Sequence, residues 1–138
     1  MEKYISSSAE KTAKIAKNIA KTCKKGDILL LFGDLGAGKT VFAKGFISCF
    51  LRGQNVVSPT FTILNTYSAK VPIYHFDLYR IKDISELDQI GFDEYVFGDD
   101  ISLIEWPERL NGALKNNVIK VYINKTGEES REIIVERS

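Results

Sequence analysis

Residues 33–40 read Gly-Asp-Leu-Gly-Ala-Gly-Lys-Thr, which fits the spacing G-x-x-x-x-G-K-[ST]. These residue types in this order grip phosphate. Gly33, Gly36 and Gly38 permit backbone dihedrals that turn successive N–H groups inward around an anion, with Asp34, Leu35 and Ala37 between them. A helix starting behind the loop adds the partial positive charge of its N-terminus. Lys39 is spaced to bring an ammonium to the β- and γ-phosphates of a nucleotide, and Thr40 to offer its hydroxyl to Mg2+.

A phosphate grip that uses Mg2+ needs a carboxylate at the end of a neighbouring strand. Two compete: Asp77, which ends IYHFD, and Glu105, which ends ISLIE. Either could hold the metal, directly or through water, or orient an attacking water. Asp77 also reads as a helix cap or turn residue, and Glu105 as a cap ahead of Pro107, a good first helical residue. His75, the only histidine, reads more readily as a core side chain with a satisfied ring than as a catalyst. Thr60 and Thr62, in SPTFT, fall where a threonine loop can sense a γ-phosphate and its Mg2+; the plainer reading is strand threonine. Asn124-Lys125-Thr126-Gly127 opens like the guanine-reading N-K-x-D box. Gly127 replaces the aspartate that would pair with guanine, and the run reads as a hairpin turn.

Periodicity supplies the elements that must carry these groups. Ser6 to Ser8 offer N-caps, and Ala9, Ala13, Ile15, Ala16, Ile19, Ala20 and Cys23 recur at helical spacing up to about Lys24. The N-terminal stretch as a whole reads as an amphipathic helix. Asp27 to Phe32 is a short apolar run that fits a strand buried on both faces. A second helix is expected from Gly38 to about Arg52. Phe61 to Tyr67 and Pro72 to Asp77 read as two antiparallel strands. A short helix follows through 83–92, with Asp83 or Ser85 as its cap, and then the buried strand ISLIEW. VIKVYINK and REIIVER, separated by TGEES, predict a C-terminal hairpin. The order α, β, α, then mostly β, argues for a mixed sheet with helices against it.

The chain has 138 residues, 44% of them hydrophobic, which suits one domain over 1–138 with a single core. Its net charge of +1 supplies no strong global field toward nucleic acid or a membrane surface. The apolar runs are too short to span a bilayer. Cys23 and Cys49 have no metal-ligand spacing and read as small buried side chains in a reducing compartment, which together with the absence of a signal-peptide core points to the cytoplasm.

GDLGAGKT, SPTFT, YHFDLYR and IEWPERL, in this order and at these spacings, resemble the bacterial TsaE family, P-loop ATPases required for N6-threonylcarbamoyladenosine in tRNA. The resemblance runs from the first helix to the C-terminal hairpin. It implies an α/β fold, a P-loop NTPase-like three-layer domain with a mixed parallel and antiparallel sheet. It implies ATP and Mg2+ as ligands. Thr40 and Glu105 match the metal ligands, Lys39 and the glycines the phosphate cradle, and Asp77 a Walker B-like carboxylate. Thr60 and Thr62 fall in a first switch-like loop and Trp106 in a second. Val41 stands where many members carry a second Thr or Ser, so a side-chain phosphate contact is lost while its N–H remains. Arg131 is expected near the adenine. The implied partners are threonylcarbamoyltransferase subunits of TsaD and TsaB type, with tRNA reached through that complex and no membrane involved. ATP hydrolysis would support turnover of the assembly.

Two other readings use the same grip. A nucleotide-dependent binding switch would order its loops around ATP without useful turnover. A small-molecule kinase would need a basic lid, yet residues 81–100 hold no basic residue beyond Lys82 and are acidic, which would repel a phosphorylated acceptor. No arginine finger is obvious; Arg80 and Arg109 lie near the two acidic motifs, and either reads equally as surface charge.

Overall fold

The apolar runs become the parallel centre of a sheet because both of their faces are covered. In this computed structural model, which describes residues 1–51, 63–110, 114 and 118–137, the chain runs β1 (Glu2–Ser6), α1 (Ala9–Ala20), β2 (Ile28–Phe32), α2 (Lys39–Ser48), β3 (Leu64–Tyr67), β4 (Ile73–Asp77), α3 (Ser85–Gln89), α4 (Phe92–Val96), β5 (Ile101–Glu105), a 3-10 turn (Pro107–Leu110), β6 (Val118–Lys125) and β7 (Arg131–Arg137). The strands of the described residues form one sheet in the order β1-β7-β6-β2-β5-β4-β3. β6, β2, β5 and β4 are mutually parallel. β3 closes one edge antiparallel, and β7 with β1 extends the other.

Alternation along β2 sends Leu29 and Leu31 to one face and Ile28 and Leu30 to the other. The first face is covered by α1 and α2, through Ile15, Ile19, Phe42 and Phe46. The second is covered by α3, α4 and the 3-10 turn, through Leu87, Phe92, Val96 and Leu110. The result is the expected three-layer arrangement with a mixed sheet. α1 and α2 touch at Gly45, where an added Cβ would lie 2.5 Å from the Ala13 carbonyl oxygen. Only a glycine permits that approach. No helix among the described residues is long and apolar enough to cross a membrane.

Four expectations need correction. Residues 2–6 are not part of an N-terminal helix but an edge strand on β7, tied by Arg137 Nε to Glu2 Oε2 at 2.9 Å and Lys3 to Glu132 at 3.1 Å. The helix itself starts at Ala9, with the Ser8 hydroxyl accepting the Lys11 N–H, and ends at Ala20 rather than near Lys24. The single helix expected through 83–92 is instead two short ones, because Gly91 takes φ +74° between them. At its start the Asp83 carboxylate accepts the Ser85 N–H, and Glu86 accepts those of Lys82 and Asp83. α2 closes sooner than expected, at Ser48 rather than near Arg52.

Candidate functional site

β2 ends at Phe32, and α2 begins seven residues later at Lys39. The loop between them is shaped by two different demands on glycine. Gly38 sits at φ +104°, a left-handed conformation that L side chains rarely adopt, and caps α2 without a side-chain hydrogen bond. Gly33 is required by space: a Cβ there would lie 3.0 Å from the Ile123 carbonyl oxygen on β6, 3.3 Å from Ala37 Cβ and 3.4 Å from Lys39 Cγ. The Ala37 N–H closes a turn onto Asp34 O, leaving Asp34, Leu35 and Gly36 exposed and Ala37 buried. Arg131, arriving on β7, braces this loop from outside. Its Nε donates to Ala37 O at 2.7 Å, and one Nη to the carbonyls of Gly127, Glu128 and Ser130 in the hairpin turn.

Parallel pairing brings the two acidic strand ends together. Asp77 is opposite Glu105 in the β4–β5 register, one strand removed from the loop-bearing β2. Both carboxylates open onto a groove of about 330 Å3 whose walls include Lys39, Thr40, Tyr79 and Trp106. Glu105 is 5% exposed and its Oε2 lies 2.6 Å from His75 Nε2. Asp77 is half-buried and accepts the Tyr79 N–H at 3.0 Å. Burial raises the pKa of Asp77, the Tyr79 N–H opposes this, and the Glu105 charge adds to the rise.

Lys39 is 7% exposed. Among the described residues its Nζ has no hydrogen-bond partner. It lies 3.4 Å from the centroid of the Trp106 ring. Burial lowers the Lys39 pKa, and the carboxylates of Glu105, Glu108, Asp77 and Asp34 pull it back up. Trp106 has φ +57°, a left-handed backbone for a bulky residue, which turns its ring from the end of β5 over the lysine and against Tyr79 at 4.9 Å. A hollow of about 560 Å3 beside Trp106 runs along Ile81, Ile84, Glu108 and Arg109, and Arg109 donates to the Tyr79 carbonyl.

The structure thus gathers Lys39, Thr40, Asp77 and Glu105 around one groove. Val41, Gly38 and Arg131 line a second, smaller hollow of about 140 Å3 together with Ser8 and Thr12. Thr60 and Thr62 lie outside the described residues. Asn124 and Lys125 end β6, and Thr126 closes the hairpin through its N–H to Ser130 O, as the turn reading expects. Two features escaped the sequence. His75 is the core side chain expected, but its ring is satisfied at Nε2 alone, by Glu105, with no partner for Nδ1 among the described residues, and Trp106 covers the lysine. The first left a trace: strand alternation puts His75 and Asp77 on one face, so a metal or water site at Asp77 brings His75 with it.

The groove fits phosphate and Mg2+. A buried ammonium with no hydrogen-bond partner among the described residues, next to a loop that needs glycine at 33 for space and at 38 for its positive φ, matches an anion. One buried and one half-buried carboxylate beside a threonine hydroxyl match the few protein ligands that Mg2+ takes alongside phosphate oxygens and water.

A strand, a glycine loop, a lysine-headed helix and carboxylates on parallel neighbours define an α/β domain of the P-loop type. Comparison with known proteins narrows this. The family described as threonylcarbamoyl adenosine biosynthesis protein TsaE matches residues 6–133, and the chain belongs to that family. It is 44% identical over 125 residues to the tRNA threonylcarbamoyladenosine biosynthesis protein TsaE of Bacillus subtilis, covering 90% of this chain and 78% of that one. The protein of the same name from Treponema pallidum is 33% identical over 131 residues, 95% of this chain and 97% of its own. A crystal structure of YdiB from Bacillus subtilis superposes with a TM-score of 0.81 at 34% identity, covering 99% of this chain and 86% of the other.

Proposed function

We propose that the protein is a Mg2+-dependent ATPase that serves formation of the threonylcarbamoyl group on adenosine 37 of tRNA (t6A). It would work in the cytoplasm with a threonylcarbamoyltransferase assembly of TsaD and TsaB type and meet tRNA through that assembly. One observation carries the nucleotide part: the Lys39 ammonium is buried, lacks a hydrogen-bond partner among the described residues and shares one groove with two carboxylates and the glycine loop. The pathway rests on family membership and on the names its relatives carry.

In this reading the loop N–H groups and Lys39 hold the β- and γ-phosphates, drawing on the N-terminal charge of α2. The hollow bounded by Ser8, Thr12, Gly38, Val41 and Arg131 takes the nucleoside. Mg2+, when bound at Thr40 and Glu105 with Asp77 beside them, would neutralise charge on the transferring phosphoryl oxygens. Glu105 and Asp77 are the two groups able to orient a water toward the γ-phosphorus. Arg131 and Arg109 are both engaged with backbone carbonyls. That fits a hydrolase slow on its own, whose partner adds positive charge in the transition state.

Phosphate release from Mg·ATP, measured for the protein alone and with the transferase assembly and tRNA, tests this reading. Slow release that rises with the assembly is the expected result. Tight ATP binding with no rise would overturn the partner-activated ATPase. The second reading, an ATP-dependent switch, is favoured by the left-handed Trp106 lying over Lys39, a contact that phosphate would disturb. Glu105→Gln separates the two: a switch retains t6A formation with an ATP-binding, hydrolysis-dead variant, and an ATPase does not.

A further inference from the structure

We propose that His75 is a positioning residue for Glu105. It holds the Glu105 carboxylate in one orientation through a 2.6 Å hydrogen bond from Nε2 to Oε2, leaving the other carboxylate oxygen for whatever enters the groove. The proposal rests on the ATPase reading and assigns a role that reading leaves open.

The argument begins with the strand. β4 reads Ile73-Tyr74-His75-Phe76-Asp77, and its alternation points Ile73, His75 and Asp77 toward the α2 face. In the parallel register His75 pairs with Leu103 and Asp77 with Glu105, so the imidazole lies one step below Glu105 on the same face. At 1% exposure the ring is enclosed in the sheet's core. A histidine kept there for structure alone would have both nitrogens satisfied. Among the described residues the buried Nδ1 of His75 has no hydrogen-bond partner. The neutral Nε2–H tautomer accounts for both observations. It places the ring's one N–H on the carboxylate and leaves a bare lone pair at Nδ1, which is less costly to bury than an unpaired donor. The ring therefore gives up satisfaction of its own to supply a donor to Glu105. A hydrogen-bonded partner of this kind fixes the orientation of a carboxylate that binds metal or water, and removing such partners lowers metal affinity or activity by about 10–100-fold.

The chain has one histidine, so histidine labelled with 15N gives one pair of ring nitrogen signals. The wild type is expected to show a strongly downfield Nε2–H proton. Glu105→Gln should move it upfield, since a neutral amide oxygen is the weaker acceptor. His75→Phe keeps the ring's shape without the donor. It should bind nucleotide in the absence of Mg2+ within twofold of wild type, yet lose 10–100-fold in kcat and in the gain of nucleotide affinity that Mg2+ brings, with KM for ATP little changed. His75→Gln, whose amide nitrogen can reach the position of Nε2, should recover most of the loss. A ring N–H signal that is the same in Glu105→Gln overturns the proposal, as does a His75→Phe protein with wild-type kcat and Mg2+ response. Should His75→Phe not fold, the labelled wild type and the Glu105→Gln protein still decide. Should wild type itself release no phosphate while the N–H signal and the Mg2+-dependent binding behave as expected, the ATPase reading fails and the positioning role stands.

Discussion

Gly45→Ala puts the spacing of α1 and α2 to a quantitative test. The new Cβ would lie 2.5 Å from Ala13 O, 2.7 Å from Ala13 Cα and 2.9 Å from its carbonyl carbon, all backbone atoms that no rotamer change can move. Non-bonded heavy atoms rest about 3.5 Å apart, so the helices must part by on the order of 1 Å. That loosens Phe42, Phe46, Ile15 and Ile19, which share the core between them. Overpacking of this kind costs about 1–3 kcal/mol, and the rigid backbone opposite puts this case near the upper end. Alanine's better helix propensity returns about 1 kcal/mol. The net loss is about 2 kcal/mol, and a domain of this size loses roughly 2–4 °C per kcal/mol, which gives a Tm lower by about 4–8 °C. Thermal unfolding followed by circular dichroism reads it. Gly127→Ala is the control: it sits in the exposed hairpin turn, meets only the Ser130 side chain at 3.4 Å, and should change stability by less than about 0.5 kcal/mol. A Gly45→Ala Tm equal to or above wild type would mean that propensity outweighs the clash, and the helix contact described above would be wrong.

Trp106→Leu removes a cation–π contact worth about 0.5–2 kcal/mol that phosphate must otherwise displace, so ATP affinity by calorimetry should rise about 2- to 30-fold; a fall would show that the ring packs on the nucleotide instead. As Trp106 is the only tryptophan, its fluorescence in wild type should also change on nucleotide binding. Burial pushes the Cys23 thiol from 9.0 up to about 12. At pH 8 that leaves about a thousandth of the thiolate, while the higher basicity returns roughly 20-fold in reactivity, so in a Cys49→Ser background native Cys23 should alkylate about 50-fold more slowly than in urea. Equal rates would refute the burial argument. Arg131→Gln gives up the Nε bond to Ala37 O and should weaken nucleotide binding about fivefold, from about 1 kcal/mol, without changing kcat; a fall in kcat alone would place Arg131 in the chemistry rather than in the brace.

The strand–loop–helix was legible because each part has a local signature. The five apolar residues of β2 specify a doubly covered strand, the glycines a turn, and Phe42, Phe46 and Ile47 an inward helix face. Asp77 and Glu105 were legible as strand ends, but not as neighbours. Their adjacency depends on the β4–β5 register, which is set by pairing across more than twenty residues of intervening chain. The same register hides the bond from His75 to Glu105. β1 left almost no signal: it is a five-residue edge strand with one residue fully buried, and it joins β7 from the opposite end of the chain. The position of Trp106 over Lys39 follows from a single left-handed residue, a conformation that composition and periodicity do not report.

The strand order also divides the labour around the loop. On one side of β2, the hairpin of β6 and β7 supports the backbone of the grip, with Ile123 O closing on Gly33 and Arg131 holding Ala37 O. On the other side, β5 and β4 bring Glu105, Asp77 and His75 to where phosphate chemistry would occur. Lys39 alone faces both, since it begins the helix that the loop launches and lies against the Trp106 that β5 delivers. Changes on the hairpin side should therefore act on binding, and changes to Glu105, Asp77 and His75 on turnover and on the Mg2+ dependence of binding. A partner that shifts Trp106 would act on Lys39 directly, at the point where the two halves meet.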